Sequence, residues 1–214
     1  MKTRQDAQKL LEEWVSSESL RRHCLGVATC MEVYAMKYVE DGKLGNSLPT
    51  QPLSNINNNS GNGGGGNDNQ AIIDKWYICG LLHDFDWEKY PDIDLHPKKG
   101  CEFLKENDYD NSIIEAILGH NAKTGVKRKS LMAKCLFAVD ELSGLVVALA
   151  RVRPGNFEGM SAKSVRKAMK KKDFAAAISR EDIKQGMEEL EVDENEHFEL
   201  IISALTEIKK DLGF

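Results

Sequence analysis

The chain has 214 residues, 41% of them hydrophobic, and a formal net charge of −5 at pH 7. This length and apolar content predict one globular domain with a real core and exclude wholesale disorder. The acidic balance gives no global attraction to nucleic acid or anionic membrane. Five cysteines without a CxxC pair argue against a disulfide framework and a zinc ribbon.

In chain order, apolar residues at spacings of three and four predict helices over residues 5–16 and 18–40. The second runs through Leu20, Cys24, Val27, Met31, Tyr34 and Tyr38. Residues 54–70 then hold seven Asn and five Gly. So little apolar area cannot offset an ordering cost of ~1–2 kcal/mol per residue, so residues 41–69 are expected to be a disordered loop inserted into the domain. Helix resumes over 71–82. Asp94 is expected to cap the next, with Pro97 in its first turn, and Asn111 or Ser112 to open another. Ser130 caps a long apolar helix to about Val152, and three more follow over 161–172, 179–190 and 193–212. No apolar run nears the ~20 residues of a membrane span, and the N-terminus lacks a signal-like apolar stretch. The expectation is an all-α bundle, a single domain over residues 1–214, in the cytoplasm.

Polar groups interrupt this apolar pattern at regular places. His23 flanks the stripe of the second helix. His83-Asp84 ends the apolar helix, His96 stands in the first turn of the next, His120 closes another, and Asp140 lies mid-helix in Leu136-Phe137-Ala138-Val139-Asp140. Singly, each is read equally well as a hydrogen-bonded structural residue. Together they would bury too much polarity unless something paired them, and a divalent cation does that. His197, in a highly charged helix, is expected at the surface.

The order His23, His83-Asp84, Asp140 resembles the HD superfamily of metal-dependent phosphohydrolases, over about residues 18–153 once the insertion is discounted. His96 and His120 stand where the binuclear branch of that superfamily keeps two further histidines. The C-terminal part, residues 154–214, then reads as a helical extension, similar to a poorly characterised group of predicted hydrolases. Three features depart from the named branches: Phe85-Asp86-Trp87-Glu88 after the HD pair, Trp87 where deoxynucleotidase-like relatives often carry Glu, and no Gly-Tyr-Pro after His120.

The resemblance implies that His23, His83, Asp84 and Asp140 hold one metal, and that Asp84 bridges to a second held with His96 and His120. Mn, Fe, Co, Ni, Mg and Zn all suit such donors. The activity implied is hydrolysis of a small phosphomonoester or nucleotide through a metal-activated hydroxide. Asp84 and Lys123 are then the catalytic residues. Lys123 is the first candidate for meeting the phosphate, ahead of Arg22 and Arg153, although an ordinary surface lysine fits Lys123 as well. Asp86 and Glu88 are candidates for orienting a ligand, or else belong to a solvated acidic turn with Asp92 and Asp94. The basic stretch 161–172 reads as a solvated face, and no membrane or nucleic-acid partner is expected. Two other classes stay open: a di-iron oxygenase, and a non-catalytic regulatory module that binds metal or nucleotide.

Overall fold

The computed structural model describes residues 2–45 and 65–214. Among the described residues there are nine α-helices, one 3₁₀ turn and no strand, as the apolar periodicity predicts. They are α1 (Arg4–Trp14), α2 (Glu18–Glu40), α3 (Gly65–Leu82), α4 (Lys98–Glu106), α5 (Asn111–His120), α6 (Leu131–Val152), α7 (Ala162–Met169), α8 (Arg180–Leu190) and α9 (Glu194–Glu207). The 3₁₀ turn, Ala122–Thr124, follows α5. No helix among the described residues is long and apolar enough to cross a membrane.

Side-chain caps set most of the helix starts. Thr3 and Asp6 form a reciprocal capping box on α1, while Ser17, Ser130, Ser179 and Asp193 accept from the first turns of α2, α6, α8 and α9. Two expected caps are corrected. Asp94 lies in a run of turns before α4, whose cap position is held by Pro97. Asp110, not Asn111 or Ser112, caps α5, because its carboxylate accepts from Ser112 N at 2.8 Å and pairs with Lys75 at 2.6 Å.

The expected loop is also shorter at its C-terminal end. α3 begins at Gly65, six residues ahead of the predicted start. Asp68 complements the helix dipole in its first turn, and Gln70 donates to Asp74 one turn on. Residues 41–45 form a turn closed by Lys43 and Leu44 donating to the Tyr38 carbonyl. The remainder of the expected loop, residues 46–64, lies outside the described residues. The first and last of the three C-terminal helices are shorter than predicted, ending at Met169 and Glu207.

α2 and α6 are the axis of the bundle. α2 packs on α3, α6 and α9, and α6 packs in addition on α5, α7 and α8. Cys24, Val27 and Met31 of α2, Cys79 and Leu82 of α3, and Leu136, Val139 and Leu142 of α6 are all fully buried. Each large aliphatic contributes about 1.5–3 kcal/mol by leaving water. The α2–α3 crossing is tight enough to require glycine. A Cβ on Gly80 would stand 2.7 Å from Cα of Ala28. This close approach sets the end of α3, and the residues beyond it, against the first half of α2.

Candidate metal centre

Five elements each deliver a polar side chain to one place. His23 comes from α2, His83 and Asp84 from the turn that ends α3, His96 from the turns before α4, His120 from the last position of α5, and Asp140 from the middle of α6. Around Asp84 the six residues separate into two groups. Its Oδ2 lies 3.4 Å from Nε2 of His83 and 3.8 Å from Nε2 of His23. Its Oδ1 lies 3.2 Å from Nε2 of His96 and 3.4 Å from Nε2 of His120. Asp140 joins the first group, with Oδ1 at 3.1 Å from His23 and 3.4 Å from His83. The facing imidazole nitrogens are 3.2 Å apart in the first group and 3.3 Å apart in the second.

The far side of three rings fixes their tautomer. Nδ1 of His83 donates to the Gly80 carbonyl at 2.8 Å, Nδ1 of His120 to the Ile117 carbonyl at 2.5 Å, and Nδ1 of His96 to the Asp86 carboxylate at 2.7 Å. Those partners only accept, so the proton sits on Nδ1 and a neutral ring turns the lone pair of Nε2 toward Asp84. In the second group two lone pairs and a carboxylate oxygen thus converge, and in the first the lone pair of His83 meets oxygens of Asp84 and Asp140, arrangements that repel themselves unless positive charge stands between them.

The electrostatics say the same. Burial disfavours charge on His83, yet Asp84 and Asp140 beside it raise it well above the ordinary imidazole range. His96 is likewise lowered by burial but lifted by Asp84 and Asp86, to about 9. Burial pushes Asp84 and Asp140 up, and His83 with the other imidazoles outweighs it, holding both well below the usual carboxylate range. The buried carboxylates thus demand positive charge beside them, from protonated imidazoles or from a cation that displaces those protons.

A divalent cation fits both groups. Ligands held about 2.1 Å from one ion lie about 3.0 Å apart at right angles and about 3.4 Å apart in a tetrahedron. Most of the donor spacings above fall in that interval; His23 to Asp84 is the long edge. His23, His83 and Asp84 form one set able to hold an ion, and Asp84, His96 and His120 the other. Imidazole and carboxylate are the donor chemistry of Mn, Fe, Co, Ni and Zn.

Residues 20–145 match the HD domain family. The chain belongs to that family. Comparison with the curated proteins and with the solved structures returned no match. Within this HD domain the His-Asp pair ends α3, while the first histidine and the final aspartate face it from α2 and α6.

A cavity of about 390 Å³ opens onto the second group, with Asp84, His96, His120 and Asp140 in its wall. Lys123 is at its mouth, 3.5 Å from Asp94 and more than half exposed. Arg22 lines a different cavity, on the side of His23. Arg153 is a correction: its guanidinium donates to the Asn156 and Glu158 carbonyls, away from the cluster.

Asp86 does not belong to a solvated acidic turn. It is fully buried, accepting from His96 and from Gly100 N at 2.7 Å. Glu88 does something else: it accepts from the backbone of Ser16 and Ser17 and ties the start of α2 to this turn.

Sequence reasoning passed over Asn121 and Glu141. Asn121 donates to the carbonyl of His96 at 2.9 Å and accepts from Lys123 N, locking the 3₁₀ turn to the His96 turn. Its position directly after His120 was the available signal. Glu141 lines the cavity, and burial together with the neighbouring Asp140 pushes its carboxyl up to about 7. His197 is also a correction. It is buried, donating from Nε2 to the Ala138 carbonyl and accepting at Nδ1 from the Tyr34 hydroxyl.

Proposed function

We propose that this HD domain is a metal-dependent hydrolase of a small phosphomonoester or nucleotide. His23, His83, Asp84 and Asp140 would hold one divalent ion, and Asp84, His96 and His120 a second. The observation that carries the reading is Asp84, whose two oxygens face different histidine pairs at 3.2–3.8 Å. When bound, a pair of divalent cations supplies acidified water and Lewis acidity toward phosphoryl oxygens.

The remaining work falls to the chain. Asp86 and the carbonyls of Gly80 and Ile117 hold three imidazoles with Nε2 inward, and Asn121 ties down the His96 backbone, so no reorganisation is needed as charge develops. Lys123 at the cavity mouth would meet the phosphate dianion. Trp87, whose ring lies 4.9 Å from that of His96, offers a flat apolar wall for the organic part of the substrate. A cavity of about 390 Å³ suits a molecule of that size. We take residues 18–153 as the catalytic unit and 154–214 as a helical extension that braces α6.

The test is a panel of phosphomonoesters and nucleotides assayed for inorganic phosphate with Mn²⁺, Co²⁺, Ni²⁺, Mg²⁺ and Fe²⁺. We expect metal-dependent release that His83→Ala and Asp84→Ala both abolish. Iron-dependent oxygen consumption without phosphate release would instead identify an oxygenase. No turnover beside full metal binding would identify a regulatory module.

A further inference from the structure

His23 differs from the other three histidines of the cluster. Each of those donates from Nδ1 to a protein acceptor, whereas Nδ1 of His23 has no partner among the described residues. Nor is that atom sealed in. Among the described residues, the buried side-chain nitrogen without a partner is Nε of Arg180. Nε2 of His23 is committed to the cluster, and the ring also lines a second cavity of about 230 Å³ between the start of α2 and the middle of α6. Small residues, Gly26, Gly144 and Ala148, form part of its wall.

Two arginines stand over it. Arg22 donates through Nη2 to Glu18 at 2.8 Å. Its guanidinium lies against Gly213, where φ is +83° and a Cβ would stand 2.8 Å from Nη1. Only glycine allows both that backbone and that contact. Arg151 donates through Nη2 to the Leu212 carbonyl at 3.1 Å, with its guanidinium 4.8 Å from the Phe214 ring centre. Each arginine is thus held in place from outside while keeping N–H groups free, and the carboxylate paired with Arg22, Glu18, is exposed. A small cavity with largely apolar walls, two fixed guanidiniums and an imidazole is complementary to an oxyanion carried on a small organic body or alone.

We propose that this cavity is an oxyanion subsite, taking a carboxylate or phosphate group on Arg22 and Arg151 with Nδ1–H of His23 as a third donor. The bound anion does for His23 what Gly80, Asp86 and Ile117 do for its neighbours. It fixes the tautomer that leaves Nε2 free for the cluster. The subsite stands on the cavity itself. Only its effect through His23 rests on the metal-centre reading above. Two sources share the chemistry: a second anionic group on the substrate, and a separate anion.

The experiment is calorimetric titration of chelator-treated protein with inorganic phosphate, in wild type, Arg151→Gln and Ala148→Leu. Arg151 also braces the chain at Leu212, so Ala148→Leu, which fills the cavity and leaves both arginines, guards against a variant that merely unfolds. We expect phosphate binding in the wild type, weakened about tenfold or more in each variant. In ¹⁵N NMR spectra, phosphate should move Nδ1 of His23 further than Nδ1 of His83, His96 or His120. Phosphoglycolate separates the two sources. If the substrate supplies the anion, it binds metal-loaded protein about tenfold more tightly than phosphate does, and Ala148→Leu removes the gain. If a separate anion is the occupant, phosphoglycolate shows no gain while phosphate binding still depends on Arg151. No phosphate binding, or equal binding in wild type and both variants, overturns the subsite. Neither result bears on hydrolysis, which the phosphate-release panel tests separately.

Discussion

Asp86 is the residue on which the second half of the site turns. Its two oxygens accept from His96 Nδ1 and from Gly100 N, both at 2.7 Å, in a fully buried position. Asp86→Asn supplies one acceptor and turns an amide N–H₂ on the other donor. That exchange should weaken metal binding at the His96–His120 pair by about 10–100-fold, with the His23–His83 pair unaffected. Titration with Mn²⁺ followed by electron paramagnetic resonance reads both sites. His197 gives a pH signature of its own. Burial, only partly opposed by the hydrogen bond to Ala138, lowers it to about 4 against an ordinary 6.5. Between those values the unfolded chain binds the extra proton, so stability is full above pH 6.5 and is lost as pH falls toward 4. Urea unfolding should show about 2 kcal/mol less stability at pH 5 than at pH 7.5 in wild type, beyond the change seen in His197→Gln. The chain offered the role of Asp86 only as one of two readings, and hid that of His197. Asp86 sits among acidic and aromatic neighbours that read as a turn, and His197 among charges that read as surface; what buries them comes from α4, α2 and α6, far away in sequence.

At the scale of the helices, the placement of the site depends on how closely α2 and α3 approach. Gly80→Ala would set a methyl group 2.7 Å from Cα of Ala28, against backbone that cannot step aside. It should cost about 1–3 kcal/mol in urea unfolding and lower the affinity of the His23–His83 pair for metal, since the Gly80 carbonyl also holds His83. A normal midpoint would show that the crossing is looser than the geometry implies. The helices themselves were legible because apolar residues repeat at three and four in each, and because Ser, Thr and Asp mark most starts. The misses have local causes. Gly65–Leu82 looked shorter because glycine and asparagine are poor helix formers, yet Asp68 and the Gln70–Asp74 pair carry its first turns. Asp94 looked like a cap because sequence shows that an Asp precedes a helix, not how many turns intervene. The demand for glycine at position 80 cannot be read from one helix at all.

At the scale of the molecule, an HD domain built on α2, α3, α5 and α6 gathers four histidines and two aspartates from five separate segments. The order of those residues was legible, since each interrupts an apolar helix or ends one. What the order could not give is which oxygen of Asp84 faces which pair, because that depends on the crossing of α3 with α2, α5 and α6. The division of that one carboxylate between two histidine pairs is the centre of the account, and metal stoichiometry tests it most directly. Purified protein loaded with Mn²⁺ and freed of excess should carry about two ions per chain, the His96→Ala, His120→Ala double variant about one, and Asp84→Ala close to none. One ion per chain in the wild type, or two retained in the double variant, would contradict it.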